Sequence, residues 1–197
     1  MWNHNTHFHK YLLSELPTKI NRALDVGCGI GLFTNKLAEI AEVVDAVDVD
    51  EVSIKEALNQ HNAFNIYYKQ ADFIQLDLLE NSYDVIVSIA SLHHMDVEVA
   101  LKKMKLLLRP SGKLLILGLY KETSIVDYIY SAVSIPLNLL YLNWYDTSTV
   151  SSKTAPICPA ELSLDRIKLV ANTVIPGFKL QRHLFWRYSL IWQKPSV

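Results

Sequence analysis

The stretch Ala23-Leu24-Asp25-Val26-Gly27-Cys28-Gly29-Ile30-Gly31-Leu32-Phe33-Thr34 constrains the fold of this chain more than any other. A short apolar run, Ala23 to Val26, enters a glycine turn. A helical pattern starts directly behind it at Leu32, Phe33, Lys36, Leu37 and Ile40. Glycines let a backbone turn tightly and let a ligand approach it, and the helix N-terminus beyond offers free N–H groups. Strand, glycine turn, helix is therefore the opening of a nucleotide-cofactor fold. The spacing is G-x-G-x-G. The dinucleotide fingerprint G-x-G-x-x-G would need its third glycine where Leu32 stands, which counts against a nicotinamide cofactor.

Length and composition narrow the surroundings of this motif. A chain of 197 residues, half of them apolar, predicts one domain, 1–197, with a full core. Net charge is −1 and no Lys/Arg-rich run appears, so no nucleic-acid partner is expected. Cys28 and Cys158 have no C-x-x-C partner and are expected as free thiols in a reducing compartment. The N-terminus lacks the charged-then-apolar design of a signal peptide, and a cytoplasmic location is the default expectation.

Strands and helices alternate behind the glycine turn. Val43 to Val49 predicts a second strand with Asp48 at its end, about twenty residues beyond the first glycine, where an acid can accept hydrogen bonds from a ribose diol. Asp45, Asp50 and Glu51 compete for that role, and Asp50 can instead cap the helix predicted from Glu51 to Asn62. Ile66 to Lys69 is a third strand, followed by Gln70-Ala71-Asp72-Phe73. Ser82 to Ile89 is a fourth, followed by Ser91-Leu92-His93-His94-Met95. A helix from Val97 to Leu108 leads through Arg109-Pro110-Ser111-Gly112 into a fifth strand. After a long apolar stretch, the pattern resumes with a helix from Glu161 to Val174 and two consecutive strands, Lys179 to Tyr188 and Ser189 to Gln193.

This order of motifs resembles the class I, Rossmann-like S-adenosylmethionine (SAM) methyltransferases of the small-molecule type. Their first motif reads hydrophobic-Asp-hydrophobic-Gly-x-Gly-x-Gly, their fourth strand opens with (F/Y)-D and ends in L-H-H, and L-R-P-x-G-x-L precedes their fifth strand. The similarity covers Asn21 to Leu117 by motifs and about Glu161 to Lys194 by strand pattern. It implies an α/β fold: a Rossmann-like, mostly parallel seven-stranded sheet with a closing antiparallel pair and helices on both faces. It also implies SAM as methyl donor and S-adenosylhomocysteine (SAH) as product. Carried over by position, Asp25, Gly27, Cys28, Gly29 and Gly31 hold the methionine part. Asp48 grips ribose and Val49 packs on adenine. Asp72 and Phe73 take the adenine edge, and Ser88 and Ile89 complete the site at the end of the fourth strand. The Pro-Pro-aromatic motif of nucleic-acid amino-methyltransferases and the cysteine of the cytosine C5 enzymes are absent from the loop after that strand.

Two segments lie outside the family pattern. Residues 1–20 hold His4, His7 and His9 among aromatics, with a helix from about Phe8 to Leu16 ended by Pro17. They read equally as a lid over the cofactor or as a surface helix pinned by Trp2 and Phe8. The histidine spacing fits no standard zinc motif, so no metal is expected. His93, His94 and His7 are the candidate general bases. Residues 118–160 form an insertion expected to fold as two helical pieces hinged at Pro136 and to cover a small, partly hydrophobic methyl acceptor. Asp127, Asn138 and Pro136 argue against a membrane span, while contact with a lipid surface and a dimer interface stay open. Two rival functions also stay open: a SAM-binding regulator without catalysis, and an NAD-dependent oxidoreductase.

Overall fold

The computed structural model describes residues 3–144 and 158–196, with backbone alone for 142–144. Trp2 and residues 145–157 of the predicted insertion lie outside the described residues. Five parallel strands build the sheet: β1 (Ile20–Val26), β2 (Ala41–Asp48), β3 (Ile66–Gln70), β4 (Tyr83–Ile89) and β5 (Leu108–Leu119). A closing pair follows, β6 (Lys179–Arg182) and β7 (Arg187–Gln193), with β7 antiparallel to β5 and to β6. The order across the sheet is β3-β2-β1-β4-β5-β7-β6. It reverses between β1 and β4, and open α/β sheets hold their ligands beyond the carboxyl ends of strands at such a point.

Side-chain alternation divides the core in two. Ile86, Leu114 and Ile116 face one side, where Leu101 and Met104 of α4 (Val97–Leu107) and Ile167 and Ala171 of α6 (Leu164–Val174) cover them. Val85, Val87, Leu115 and Leu117 face the other, under Leu12 of α1 (His9–Ser14) and Phe33 and Leu37 of α2 (Leu32–Ala38). Neighbours in sequence thus serve opposite cores, as the two-residue period of a strand requires. Side-chain caps set the helix starts. Asp50 accepts from Val52 and Ser53 N–H at the head of α3 (Glu51–Gln60), Asp96 from Val99 N–H, and Ser163 from Arg166 N–H.

Three local expectations change. The insertion does not hinge at Pro136: one helix, α5 (Ile125–Trp144), runs through it. Pro136 and Ala132 both lie on the outer side, so the carbonyl that loses its partner is open to water. The closing strands are split by residues 183–186 rather than at Tyr188, because Phe185 and Trp186 adopt positive φ (57° each) and Phe185 turns into the core. Its apolar character suits a strand, but tertiary burial outweighs that preference. Finally, Leu108 and Lys113 both pair with β4, so Arg109 to Gly112 bulge outward within β5, and Arg109 returns to Asp84 at 2.8 Å.

Helix α5 turns Asp127 and Ser134 as well as the apolar Leu137 and Tyr141 toward the domain, and it leaves an apolar face to solvent. Asp127 pairs with Arg182 of β6 at 2.7 Å, and Ser134 Oγ accepts from Phe185 N–H at 2.9 Å. Ile125, Ile129, Val133 and Leu139 are exposed. Among the described residues no helix is long and apolar enough to cross a membrane.

Candidate functional site

The glycine turn is suspended from its neighbours. Gly27 and Cys28 donate N–H bonds to Val47 O at the end of β2, at 2.8 and 3.1 Å. Gly29 N–H donates to Asp48 Oδ2 at 2.7 Å, and the other Asp48 oxygen accepts from Asp50 N–H at 2.9 Å. Asp48 therefore shapes the turn as well as its own loop, and each oxygen keeps a lone pair for a ligand.

The glycines differ in their duties. Gly27 has φ 72°, and a Cβ on it would lie 2.2 Å from Ser91 Cβ. A Cβ on Gly29 (φ 52°) would meet nothing within 4 Å, because that backbone faces open space. Gly31 (φ 81°) does not reach the cavity: its Cβ position lies 2.4 Å from Tyr68 Oη, so it serves the contact between turn and sheet.

A cavity of about 450 Å³ opens above this turn, within the usual range for small-molecule sites. Of the sequence candidates, Asp25, Gly27, Cys28, Gly29, Asp48, Val49, Asp72, Phe73, Ile89 and His94 line it. Ser88 does not. Its Oγ lies 2.6 Å from Ser91 Oγ, which in turn donates to Val26 O, so Ser88 belongs to the support beneath Gly27. His93 points elsewhere, into a second cavity of about 300 Å³ that also touches Leu119, Glu161, Arg166 and Tyr188. His7 lines neither and packs its ring against Phe8, Tyr141 and Phe185. None of the described residues of α5 lines either cavity.

Sequence patterns gave no role to Asn3, Asn5, Ser53 or Ser91, all of which line the first cavity. The N-terminal segment folds back across the glycine turn through a 3-10 turn, Thr6–Phe8, and α1. His9 is brought to the cavity wall with its ring 5.0 Å from Phe33. No periodicity announces such a return, although Asn3 supplies a local signal: its side chain accepts from Asn5 and Thr6 N–H, a turn that starts the fold-back.

The electrostatics of the cavity are one-sided. Asp25, Asp48, Asp50 and Asp72 line it, and no Lys or Arg does so among the described residues. Asp25 is buried and accepts from Thr34 Oγ1 at 2.7 Å. Burial, helped by the charge of Asp48 and opposed by the Thr34 bond, pushes its pKa up to about 7. Burial pushes the Cys28 thiol well above its usual range, so it is a poor nucleophile. His9 and His93 are both pushed down to about 4, chiefly by burial, and are neutral at pH 7. Among the described residues no three His, Cys, Asp or Glu side chains gather in a metal-binding group.

Comparison with known proteins agrees with this geometry. Residues 24–116, the span from β1 to β5, match the family model described as a methyltransferase domain. An uncharacterised methyltransferase of Mycobacterium tuberculosis is 28% identical over 207 aligned positions, which cover 98% of each chain. A ubiquinone biosynthesis O-methyltransferase of Coxiella burnetii is 29% identical over 140 positions, 70% of this chain and 60% of that one. Among solved structures, a SAM-dependent methyltransferase described from Listeria monocytogenes superposes with a TM-score of 0.67 at 17% identity, covering 96% of this chain and 98% of that one. The N-methyltransferase NodS of Bradyrhizobium japonicum, solved with SAH, gives 0.63 at 17% identity, over 97% and 87% of the two chains. These two share the fold. With its glycine turn, its seven-stranded sheet and its antiparallel closing pair, the chain has the Rossmann-like methyltransferase fold and carries a methyltransferase domain over residues 24–116.

Proposed function

We propose that this chain binds SAM in the acidic cavity and transfers its methyl group to a small, partly hydrophobic metabolite, releasing SAH. The observation that carries the proposal is the lining itself: four aspartates and no Lys or Arg among the described residues. Such a cavity suits a ligand with a sulfonium and an ammonium, and it disfavours the pyrophosphate of a dinucleotide. Bound SAM supplies an activated methyl on a cationic sulfur. The protein's own residues bind, orient and exclude water. Asp48 accepts the ribose hydroxyls, Asp72 and Phe73 take the adenine edge, Val49 packs on its ring, and Asp25 faces the amino end. Asn3, Asn5, Thr6 and His9 close the cavity from the N-terminal side. His9 and His94 line the cavity, so either is placed to take a proton from an acceptor that carries one. The Coxiella O-methyltransferase relative supports a small, partly hydrophobic acceptor. Two free cysteines fit a reducing compartment such as the cytoplasm.

Thermal unfolding with SAM, SAH or NADH in large excess tests the proposal. A ligand at about a hundred times its dissociation constant adds roughly 2.7 kcal/mol of stability. The expected result is a rise in Tm with SAM and SAH and none with NADH. A rise with NADH alone sinks the cofactor assignment. Within the site, Asp48→Ala should weaken SAM binding by about 1.5–3 kcal/mol, the scale of hydrogen bonds to a charged group. Calorimetric titration measures it, and unchanged affinity in a folded variant removes Asp48 from the ribose role.

A further inference from the structure

Ten described side chains of α5, between Ile125 and Leu140, are exposed, and Tyr128 is the only one of them with a polar atom. At about 100° per residue these ten cover roughly half the helix circumference. The outer face of a helix on a water-soluble domain is normally its polar one. Here the polar side chains are tied inward, which fixes the roll of the helix and keeps the apolar face outside. Asp127 pairs with Arg182 at 2.7 Å and accepts from Ser124 N–H at 2.8 Å. Ser134 Oγ accepts from Phe185 N–H at 2.9 Å, and Asn138 Oδ1 lies 2.8 Å from His4 Nε2. Asp127 is the only charged residue between Ile125 and Trp144, so the outer face carries no charge.

Area, hydrogen bonding and one backbone carbonyl distinguish the possible occupants of this face. The stretch from Ile125 to Tyr141 is about 25 Å long and about 10 Å wide, a face of roughly 250–400 Å². A stable protein–protein interface takes about 800 Å² per partner, so the face is too small to hold a second copy by itself. Protein interfaces also carry about one hydrogen bond per 100–200 Å², and here the Tyr128 hydroxyl is the only exposed side-chain group that can make one. Ala132 and Pro136 stand at the middle of the exposed arc. The Ala132 carbonyl, which Pro136 leaves without its helical donor, would be sealed off unpaired in a dry interface. The hydrated headgroup layer of a bilayer gives that carbonyl water and takes up the apolar side chains around it. Residues 145–157 follow α5 in the chain, but only Tyr145, Val150 and Ile157 among them have a large apolar side chain, too few to cover ten exposed residues.

We propose that α5 is a membrane-surface anchor, lying along a lipid bilayer with its exposed face at the boundary of headgroups and acyl chains. The attraction is hydrophobic rather than electrostatic, since α5 carries no Lys or Arg, so neutral lipid suffices. The inner side of α5 touches the N-terminal segment: His4 bonds Asn138, and the rings of His7 and Tyr141 meet edge to face with centroids 5.7 Å apart. That segment supplies Asn3, Asn5, Thr6 and His9 to the wall of the cofactor cavity. The anchor therefore sets this wall one helix away from the bilayer, where an apolar methyl acceptor dissolves. The anchoring itself is independent of the methyl-transfer reading.

The test is flotation of the full chain with small vesicles of dioleoylphosphatidylcholine, a neutral lipid. The wild-type protein should float with the vesicles equally well at about 0.1 and 1 M salt, a range over which screening removes electrostatic attraction. Ile129→Asp combined with Leu139→Asp should lower the bound-to-free ratio at least tenfold. Both side chains are more than half exposed, at 56% and 58%, so the double variant loses little packing and should keep its fold by circular dichroism. Leu169→Asp, at an equally exposed leucine of α6, should float like the wild type. The salt comparison on the wild type needs no variant. No flotation of the wild type, flotation lost at high salt, or flotation undiminished in the folded double variant overturns the proposal. So does a lipid-free dimer, seen by sedimentation equilibrium, that the double variant dissociates, because the face then belongs to a second copy.

Discussion

Replacing Gly27 by Ala should destabilise the protein by about 2–5 kcal/mol. Roughly 1–2 comes from forcing an L-residue into left-handed backbone and 1–3 from overpacking. The added Cβ would lie 2.2 Å from Ser91 Cβ. Neither side has room to yield, since Ser91 Oγ is tied to Val26 O at 2.7 Å and to Ser88 Oγ at 2.6 Å. Urea denaturation gives the size of the effect. The mechanism is tested by adding Ser91→Gly, which removes the opposing Cβ. The two changes should couple favourably by more than about 1 kcal/mol in a double-mutant cycle, and strict additivity would falsify the steric account. Gly29→Ala is the informative contrast. Its φ of 52° carries a strain cost but its Cβ meets nothing within 4 Å, so it should fold with a loss of about 1–2 kcal/mol. Its methyl then occupies the face that the cofactor approaches, and SAH affinity should fall more than stability does.

The second large effect is pH dependence set by Asp25. Its carboxyl has a pKa of about 7 in the folded protein against 3.8 unfolded, because burial penalises the charged form. Between those values the folded state holds a proton that the unfolded state has released. This contribution to stability is complete below pH 4 and is lost as pH rises toward 7, to a total of about 4 kcal/mol, and it levels off above that. Asp25→Asn keeps an acceptor for Thr34 Oγ1 and has no proton to lose. Its stability should lack this downward slope between pH 4 and 7 and should exceed that of the wild type at pH 8. Denaturation at a series of pH values compares the two proteins, and parallel profiles would remove Asp25 as the source. Saturating SAM should flatten the wild-type slope, since a cationic ligand favours the ionised carboxylate.

The two predictions concern neighbours in sequence that were legible to different degrees. Asp25, Gly27 and Gly29 declare themselves because a parallel strand, its turn and the following helix are contiguous. The strand period places Asp25 inward, and tight turning without a Cβ demands the glycines. The same holds for Asp48 and for Asp72 with Phe73. Each follows a strand whose apolar run is visible, and the carboxyl ends of such strands converge on one rim. All of them line the cavity. Gly31 looks the same in sequence as Gly27 and Gly29, yet its Cβ position is filled by Tyr68 from β3, a contact thirty-seven positions away in the chain.

Local pattern by itself determined the order of strands and helices, the glycine turn and the acids at the strand ends, because these follow from backbone sterics and side-chain period over a few residues. Tertiary structure alone decided everything that depends on distant partners. It turned His94 to the first cavity and His93 to the second, and carried Pro136 through a continuous helix on its solvent side. It also drew Asn5 and Arg187 together from opposite ends of the chain. The burial of Arg187 is invisible in sequence, because it stands in an ordinary strand pattern, Arg187-Tyr188-Ser189-Leu190. Only when β7 is inserted beside β5, and the N-terminal segment is laid over both, does that arginine lose its water.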